Sequence, residues 1–106
     1  MHEEKRKYER FDIMTPADVR LFNNILENCR VDVTNICRGG LSFKSLSDIS
    51  EGDRVVFDFE PGRIIVRGIV KWVVHGSDSY YCGVEFNEEK LLSDCDIYTI
   101  ISTYLH

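Results

Sequence analysis

The sequence has no apolar run able to cross a membrane as a helix. Its longest, Ile64 to Val74, is interrupted by Arg67 and Lys71 and falls far short of the roughly 20 residues a span needs. A secretory signal is also missing, because Met-His-Glu-Glu-Lys-Arg-Lys at the N-terminus has no apolar core behind it, so a cytoplasmic protein is expected. No C-x-x-C spacing occurs among Cys29, Cys37, Cys82 and Cys95, and His2, His75 and His106 are scattered. No zinc pattern assembles from these residues, and neither a metal nor another cofactor is expected. Without a signal sequence the four cysteines read as reduced, mostly buried thiols, not as a disulfide framework. The motifs of covalent and nucleotide chemistry are absent as well: no G-x-S-x-G elbow, P-loop, dinucleotide glycine fingerprint or H-E-x-x-H. Cys37 has no histidine near it, and Glu88 with Glu89 reads as a solvated helix start, so no enzyme is expected.

What remains is one domain. A chain of 106 residues with 43% apolar and 29% charged residues can bury a single core, and neither repeats nor low-complexity segments interrupt it. The net charge of −5 is uneven. Glu85, Glu88, Glu89, Asp94 and Asp96 against Lys90 make the last 22 residues strongly acidic. Net acidity disfavours wrapping a duplex, so no DNA partner is expected, yet it leaves room for one small basic site. Lys5, Arg6, Lys7 and Arg10 form the only dense basic cluster.

Residues 1–16 are polar, carry that cluster and end in Thr15-Pro16, which reads as a flexible leader before a barrel domain over 17–106. Period-two alternation follows. Ala17, Val19 and Leu21, then Cys29, Val31 and Val33, give two half-buried strands around an Asn23-Asn24 turn. Gly39-Gly40 leads into Leu41-Ser42-Phe43, and Ser50-Glu51-Gly52-Asp53 precedes Val55, Phe57 and Phe59. Pro61-Gly62 suits a type II turn into a fifth strand, Ile64 to His75, whose Gly68 suggests a bulge. Tyr80, Cys82, Val84 and Phe86 alternate in a sixth strand. From there a helix at about 88–105 is expected, with Asn87 as N-cap and Leu91, Leu92, Cys95, Tyr98, Ile101 and Leu105 as its apolar stripe. The pattern predicts a mainly β protein: a six-stranded antiparallel β-barrel with a C-terminal amphipathic α-helix.

Two segments carry recognisable ligand chemistry. Arg6-Lys7-Tyr8-Glu9-Arg10 offers two guanidiniums at R-x-x-x-R spacing, and each can make bidentate bonds to phosphate or to guanine O6 and N7. Thr34-Asn35-Ile36-Cys37-Arg38-Gly39-Gly40 ends a strand in polar residues and turns on glycines, where Asn35 can meet a base edge. Taken singly, the first is also an ordinary charged tail and the second an ordinary hairpin turn.

Together they resemble the PilZ family. Arg6 and Arg10, with Phe11 following, match its R-x-x-x-R element, and Asn35, Cys37 and Gly40 fall on its [DN]-x-S-x-x-G element. Gly52-Asp53-Arg54-Val55, Ile69-Val70-Lys71-Trp72 and Gly83-Val84-Glu85-Phe86 resemble later parts of the family pattern, so the likeness covers about Lys5 to Leu105. The resemblance implies a bacterial receptor for the second messenger cyclic di-GMP. In it Arg6 and Arg10 would clamp phosphates and guanines, Asn35 would contact a guanine edge, and Gly40 would keep the turn open. Lys5, Arg38 and Gly39 would be further contacts, with Lys5 favouring two ligands per chain. Cys37 stands where the pattern has Ser and replaces a hydroxyl with a weakly hydrogen-bonding thiol.

The resemblance further implies that ligand changes the surface read by an unidentified protein effector in motility, exopolysaccharide synthesis or attachment. The competing reading is a ligand-independent interaction module, for which Cys37 is the support. A small oligonucleotide-binding barrel is disfavoured by net acidity and by the core-facing pattern of Phe57, Phe59 and Phe86.

Overall fold

The computed structural model describes residues 9–22, 26–59, 64–87 and 91–104. Among these residues six strands are followed by one helix: β1 (Phe11–Phe22), β2 (Leu26–Cys37), β3 (Gly40–Ser45), β4 (Arg54–Phe59), β5 (Ile64–His75), β6 (Tyr80–Phe86) and α1 (Asp94–Tyr104). All neighbours are antiparallel, in the order β1-β2-β3-β6-β5-β4. The sheet closes where Asp18 to Leu21 of β1 pair with Asp58 to Val55 of β4. Closure leaves no open sheet edge along these shared rungs.

The core follows from alternation. Val19, Val33, Phe43, Phe57 and Phe59 are fully buried, and Phe57 meets Phe43 edge-on at 5.3 Å and stacks with Phe59 at 6.2 Å. Each buried aromatic or branched side chain removes enough apolar surface to contribute roughly 1.5–3 kcal/mol. Leu92, Ile97 and Ile100 bring the C-terminal segment onto this core.

Several details depart from the sequence pattern. The first strand begins at Phe11, six residues before the alternation suggests, so the last six residues of the expected leader are strand. Gly68 sits in regular register opposite Val55 and Phe86, and the irregularity of β5 falls between Val70 and Trp72. Gly68 is required for another reason: a Cβ there would lie 2.6 Å from the Glu85 carbonyl oxygen. The helix that carries Ile97 and Ile100 starts at Asp94, and its cap is Ser93. The Ser93 hydroxyl accepts from the Asp96 amide at 3.0 Å, and the Asp96 carboxylate accepts from the Ser93 amide at 3.1 Å. That reciprocal pair satisfies two of the amides a helix start leaves open. The helix buries Ile97 and Ile100, while Cys95 and Tyr98 of the expected stripe face solvent. Of the cysteines with described side chains, only Cys82 is buried; Cys37 is half-buried and Cys95 exposed. Burial, together with the carboxylate of Asp53, pushes the Cys82 thiol up to about 11. The Asn23-Asn24 turn, the Pro61-Gly62 turn and Leu105 lie outside the described residues.

Candidate ligand-binding site

Residues Asn35 and Cys37 owe their orientation to a change of phase in β2. Val31 and Val33 point into the barrel, and uninterrupted alternation would send Asn35 and Cys37 inward as well. Instead the register shifts between Val33 and Asn35, Ile36 takes the interior position, and Asn35 and Cys37 turn to the outer face. Thr34, the residue at the shift, shares a 2.8 Å hydrogen bond with the Ser42 hydroxyl of β3. A second phase change acts on β5. Ile64, Val66 and Val70 face inward, and the shift after Val70 sends Trp72 outward, where it is 44% exposed. Bulges re-aim side chains in this way at the cost of one unpaired residue.

Both bulges serve the same row. Asp12 of β1 pairs with Asn35, Asn35 with Ser42, Ser42 with Gly83 and Gly83 with Trp72. This is one rung running across five strands of the outer face. Gly83 is the position that lets the row lie flat, since the Trp72 indole occupies the space any Cβ would need. At about 4.8 Å between strands, Asn35 and the Trp72 backbone are about 14 Å apart. The indole leaning over Gly83 shortens that gap.

The neighbouring rung carries the rest of the motif. Cys37 pairs with Gly40 across the two-residue turn Arg38-Gly39, and Gly40 pairs with Glu85 of β6. Gly40 does not take a left-handed conformation; among the described glycines that belongs to Gly52, at φ 91°. Its missing side chain answers a close approach, because a Cβ would run into the Val84 carbonyl oxygen. The turn itself is tied down. The Phe86 amide donates to the Gly39 carbonyl at 2.9 Å, the Leu92 amide to the Arg38 carbonyl at 3.0 Å, and Arg38 Nε to the Leu92 carbonyl at 3.1 Å. Arg38 thus spends one donor on holding the segment before the helix.

Arg10 is exposed and lies one residue before the Phe11–Ile36 pair, at the end of β2 where Cys37 closes the strand. The structure therefore brings Arg10, Asn35, Cys37 and Gly40 to one edge of the barrel. Lys5 and Arg6 lie outside the described residues. Reading the sequence missed Asp12, Ser42 and Trp72 as members of this face. Only the cross-strand register places them there, although the lone tryptophan beside a strand irregularity was the available signal. No cluster of metal-ligating side chains occurs among the described residues, and no helix among them is long and apolar enough to cross a membrane.

Comparisons with known proteins agree with this architecture. No curated protein sequence matches the chain. Among solved structures it is similar to the Bacillus subtilis inhibitor of motility MotI/DgrA, with 19% identity, 95% of this chain and 50% of that one covered, and a TM-score of 0.62. It is also similar to Borreliella burgdorferi PlzA in complex with c-di-GMP, with 18% identity, 94% and 41% covered, and a TM-score of 0.65. A third likeness is the PilZ domain of Escherichia coli YcgR with c-di-GMP, with 11% identity, 96% and 90% covered, and a TM-score of 0.57. The chain spans about half the length of the first of these and less of the second. The sequence profile of the PilZ domain matches residues 4–95. With nearly the whole barrel inside that match, the chain belongs to the PilZ domain family.

Proposed function

We propose that this domain is a receptor for cyclic di-GMP with no catalytic activity of its own. The observation that carries the reading is the outer-face row Asp12, Asn35, Ser42, Gly83 and Trp72, with Arg10 and Cys37 at its edge. A cyclic dinucleotide of guanine needs three kinds of partner: cations for two phosphates, polar groups for the base edges, and a flat surface for a purine ring. Arg10, with Arg6 of the same motif, supplies the first, and the guanidinium plane can also stack on a base. Asn35 and Asp12 supply the second, the carboxylate accepting from the guanine amino group and the carboxamide reaching O6 or N7. The exposed indole of Trp72 supplies the third, since stacking of a base on an aromatic ring contributes roughly 1–3 kcal/mol.

Binding would draw Arg6 and Arg10 onto the row and so alter the surface beside the β2–β3 turn, which a partner protein then reads. The MotI/DgrA structure is described as an inhibitor of motility, and regulation of motility or attachment through such a partner fits this design. A receptor for this dinucleotide would act where the dinucleotide is made, inside a bacterial cell.

Calorimetric titration of the protein with cyclic di-GMP, with GMP and a linear dinucleotide as controls, tests the reading. Saturable heat is expected for the cyclic ligand, and Arg10→Ala should abolish it with little change in melting temperature. Loss of one charge-assisted bidentate contact is worth on the order of 2–5 kcal/mol, against about 0.5 kcal/mol for an exposed substitution. Absence of saturable heat in the wild-type protein would replace the receptor with a ligand-independent interaction module.

A further inference from the structure

A second concave surface lies outside the row. On β4, β5 and the end of β6 a cavity of about 780 Å³ is lined by residues that include Arg54, Val56, Arg67, Ile69, Glu85 and Asn87. Its size is that of a ligand or peptide groove. Arg54 pairs with Ile69 and Arg67 with Val56, so the two arginines are diagonal neighbours on one face of the sheet, and both are exposed. No acidic side chain among the described residues pairs with either of them. Glu85, the acid of the groove, is engaged with Lys71 at 3.6 Å. Two like charges placed this closely on a sheet repel each other unless something anionic lies between them.

The groove is not only basic. Alternation in β4 turns Val55, Phe57 and Phe59 inward, so Val56 belongs to the outer face, yet it is only 5% exposed and forms the floor. Ile69 stands beside it, 43% exposed. An inorganic anion would neutralise Arg54 and Arg67 and leave Val56 and Ile69 unused. A polypeptide with acidic residues interleaved with apolar ones would use both halves of the surface, with each carboxylate receiving a planar fork of donors. We propose that this groove docks an acidic, partly apolar segment of a partner protein.

Position adds to the argument. Gly40 pairs with Glu85, Glu85 with Ile69 and Ile69 with Arg54, so one rung connects the glycine of the motif to the wall of the groove. The groove thus borders the dinucleotide face without sharing its arginines, asparagine or tryptophan. Docking is a property of the barrel itself, and its test needs no dinucleotide.

The experiment is an NMR titration of the whole chain with a short synthetic peptide in which Glu alternates with Leu and Val. The same peptide with Gln for Glu, and inorganic phosphate alone, form the parallel arms. Saturable shifts are expected at the amides of Arg54, Val56, Arg67, Ile69 and Asn87, with affinity falling as salt is raised. The double variant Arg54→Ala/Arg67→Ala should bind at least about tenfold more weakly at an unchanged melting temperature. Ile69→Asp, at an exposed position, provides the second variant and should weaken binding in the same way. The proposal is overturned by no saturable shift with the Glu peptide, by equal binding of the Gln peptide, or by undiminished binding in both variants. It is also overturned if phosphate alone reproduces the shifts at comparable affinity, since the groove is then a simple anion site. None of these results bears on the calorimetric test of cyclic di-GMP, and a failed calorimetric test leaves the groove standing.

Discussion

Thr15 offers the sharpest test of how the barrel interior is built. Its side chain is fully buried on the inner face of β1 opposite Val33, and its Oγ1 has no hydrogen-bond partner among the described residues. A hydroxyl removed from water and left unpaired costs about 1–3 kcal/mol. Valine has nearly the same shape, keeps the β-branch that suits a strand, and replaces the orphaned oxygen with a methyl group. Thr15→Val should therefore stabilise the domain by about 1–2 kcal/mol, which for a chain of this size raises the melting temperature by roughly 4–16 °C. Thr15→Ser keeps the hydroxyl and deletes a buried methyl, so it should lose about 1 kcal/mol. Urea titration of the three proteins, compared at equal m-values, measures both changes. If Thr15→Val is less stable than wild type while Thr15→Ser is neutral, the hydroxyl has a partner in the folded protein and the reasoning is wrong.

Other consequences follow from the same geometry. Gly40→Ala should lower stability by about 1–3 kcal/mol, because its Cβ meets backbone that cannot move aside; unchanged urea stability would return Gly40 to a role in the ligand alone. Cys37→Ser should tighten cyclic di-GMP binding about two- to tenfold, the worth of one neutral hydrogen bond, with no loss of melting temperature. Cys37 is half-buried on the outer face, and a fall in both quantities would make it a packing residue. The raised Cys82 thiol keeps its proton in the folded state longer than in the unfolded one. Stability should therefore be intact below about pH 9 and fall between there and about 11, by up to about 1.4 kcal/mol per pH unit. Cys82→Ala should flatten that slope in pH-dependent urea titrations, and an unaltered slope would assign it to other groups.

The strands were legible because their burial is periodic. Ile64 to His75 and Tyr80 to Phe86 stand where the apolar alternation puts them. The start of β1 was hidden by Thr15-Pro16, which reads as a break, and by the register shift after Asp12, which spoils the pairing pattern of that segment. The helix was displaced because Leu91 and Leu92 continue an apolar pattern without being helical. Ser93, in place of the expected Asn87, proves to be the cap through its bonds to Asp96. Which apolar face of the helix is buried depends on what it lands on, and sequence spacing alone favoured Cys95 and Tyr98 over Ile97 and Ile100. At the site, the motif residues on one hairpin were visible. Their neighbours Ser42 and Trp72 were not, because they come from other strands, up to 37 residues away, and Trp72 faces outward only through the bulge in β5.

The closure of the barrel divides β1 into unequal halves. It pairs with β2 from Phe11 to Phe22 around the shift after Asp12, but among the described residues only Asp18 to Leu21 also pair with β4. Among the described residues, Phe11 to Pro16 are therefore laddered on one side alone, and Pro16, which has no amide to give, sits where a strand can tolerate it. Amides of this half should exchange with solvent through a small local opening, while those of Asp18 to Leu21 wait for the barrel as a whole. Arg10 hangs from the end that opens. The rim beside the dinucleotide face can thus peel and reseal without breaking the seam. Substitutions between Phe11 and Pro16 can then tune how easily Arg10 reaches a ligand while the global unfolding free energy stays nearly constant.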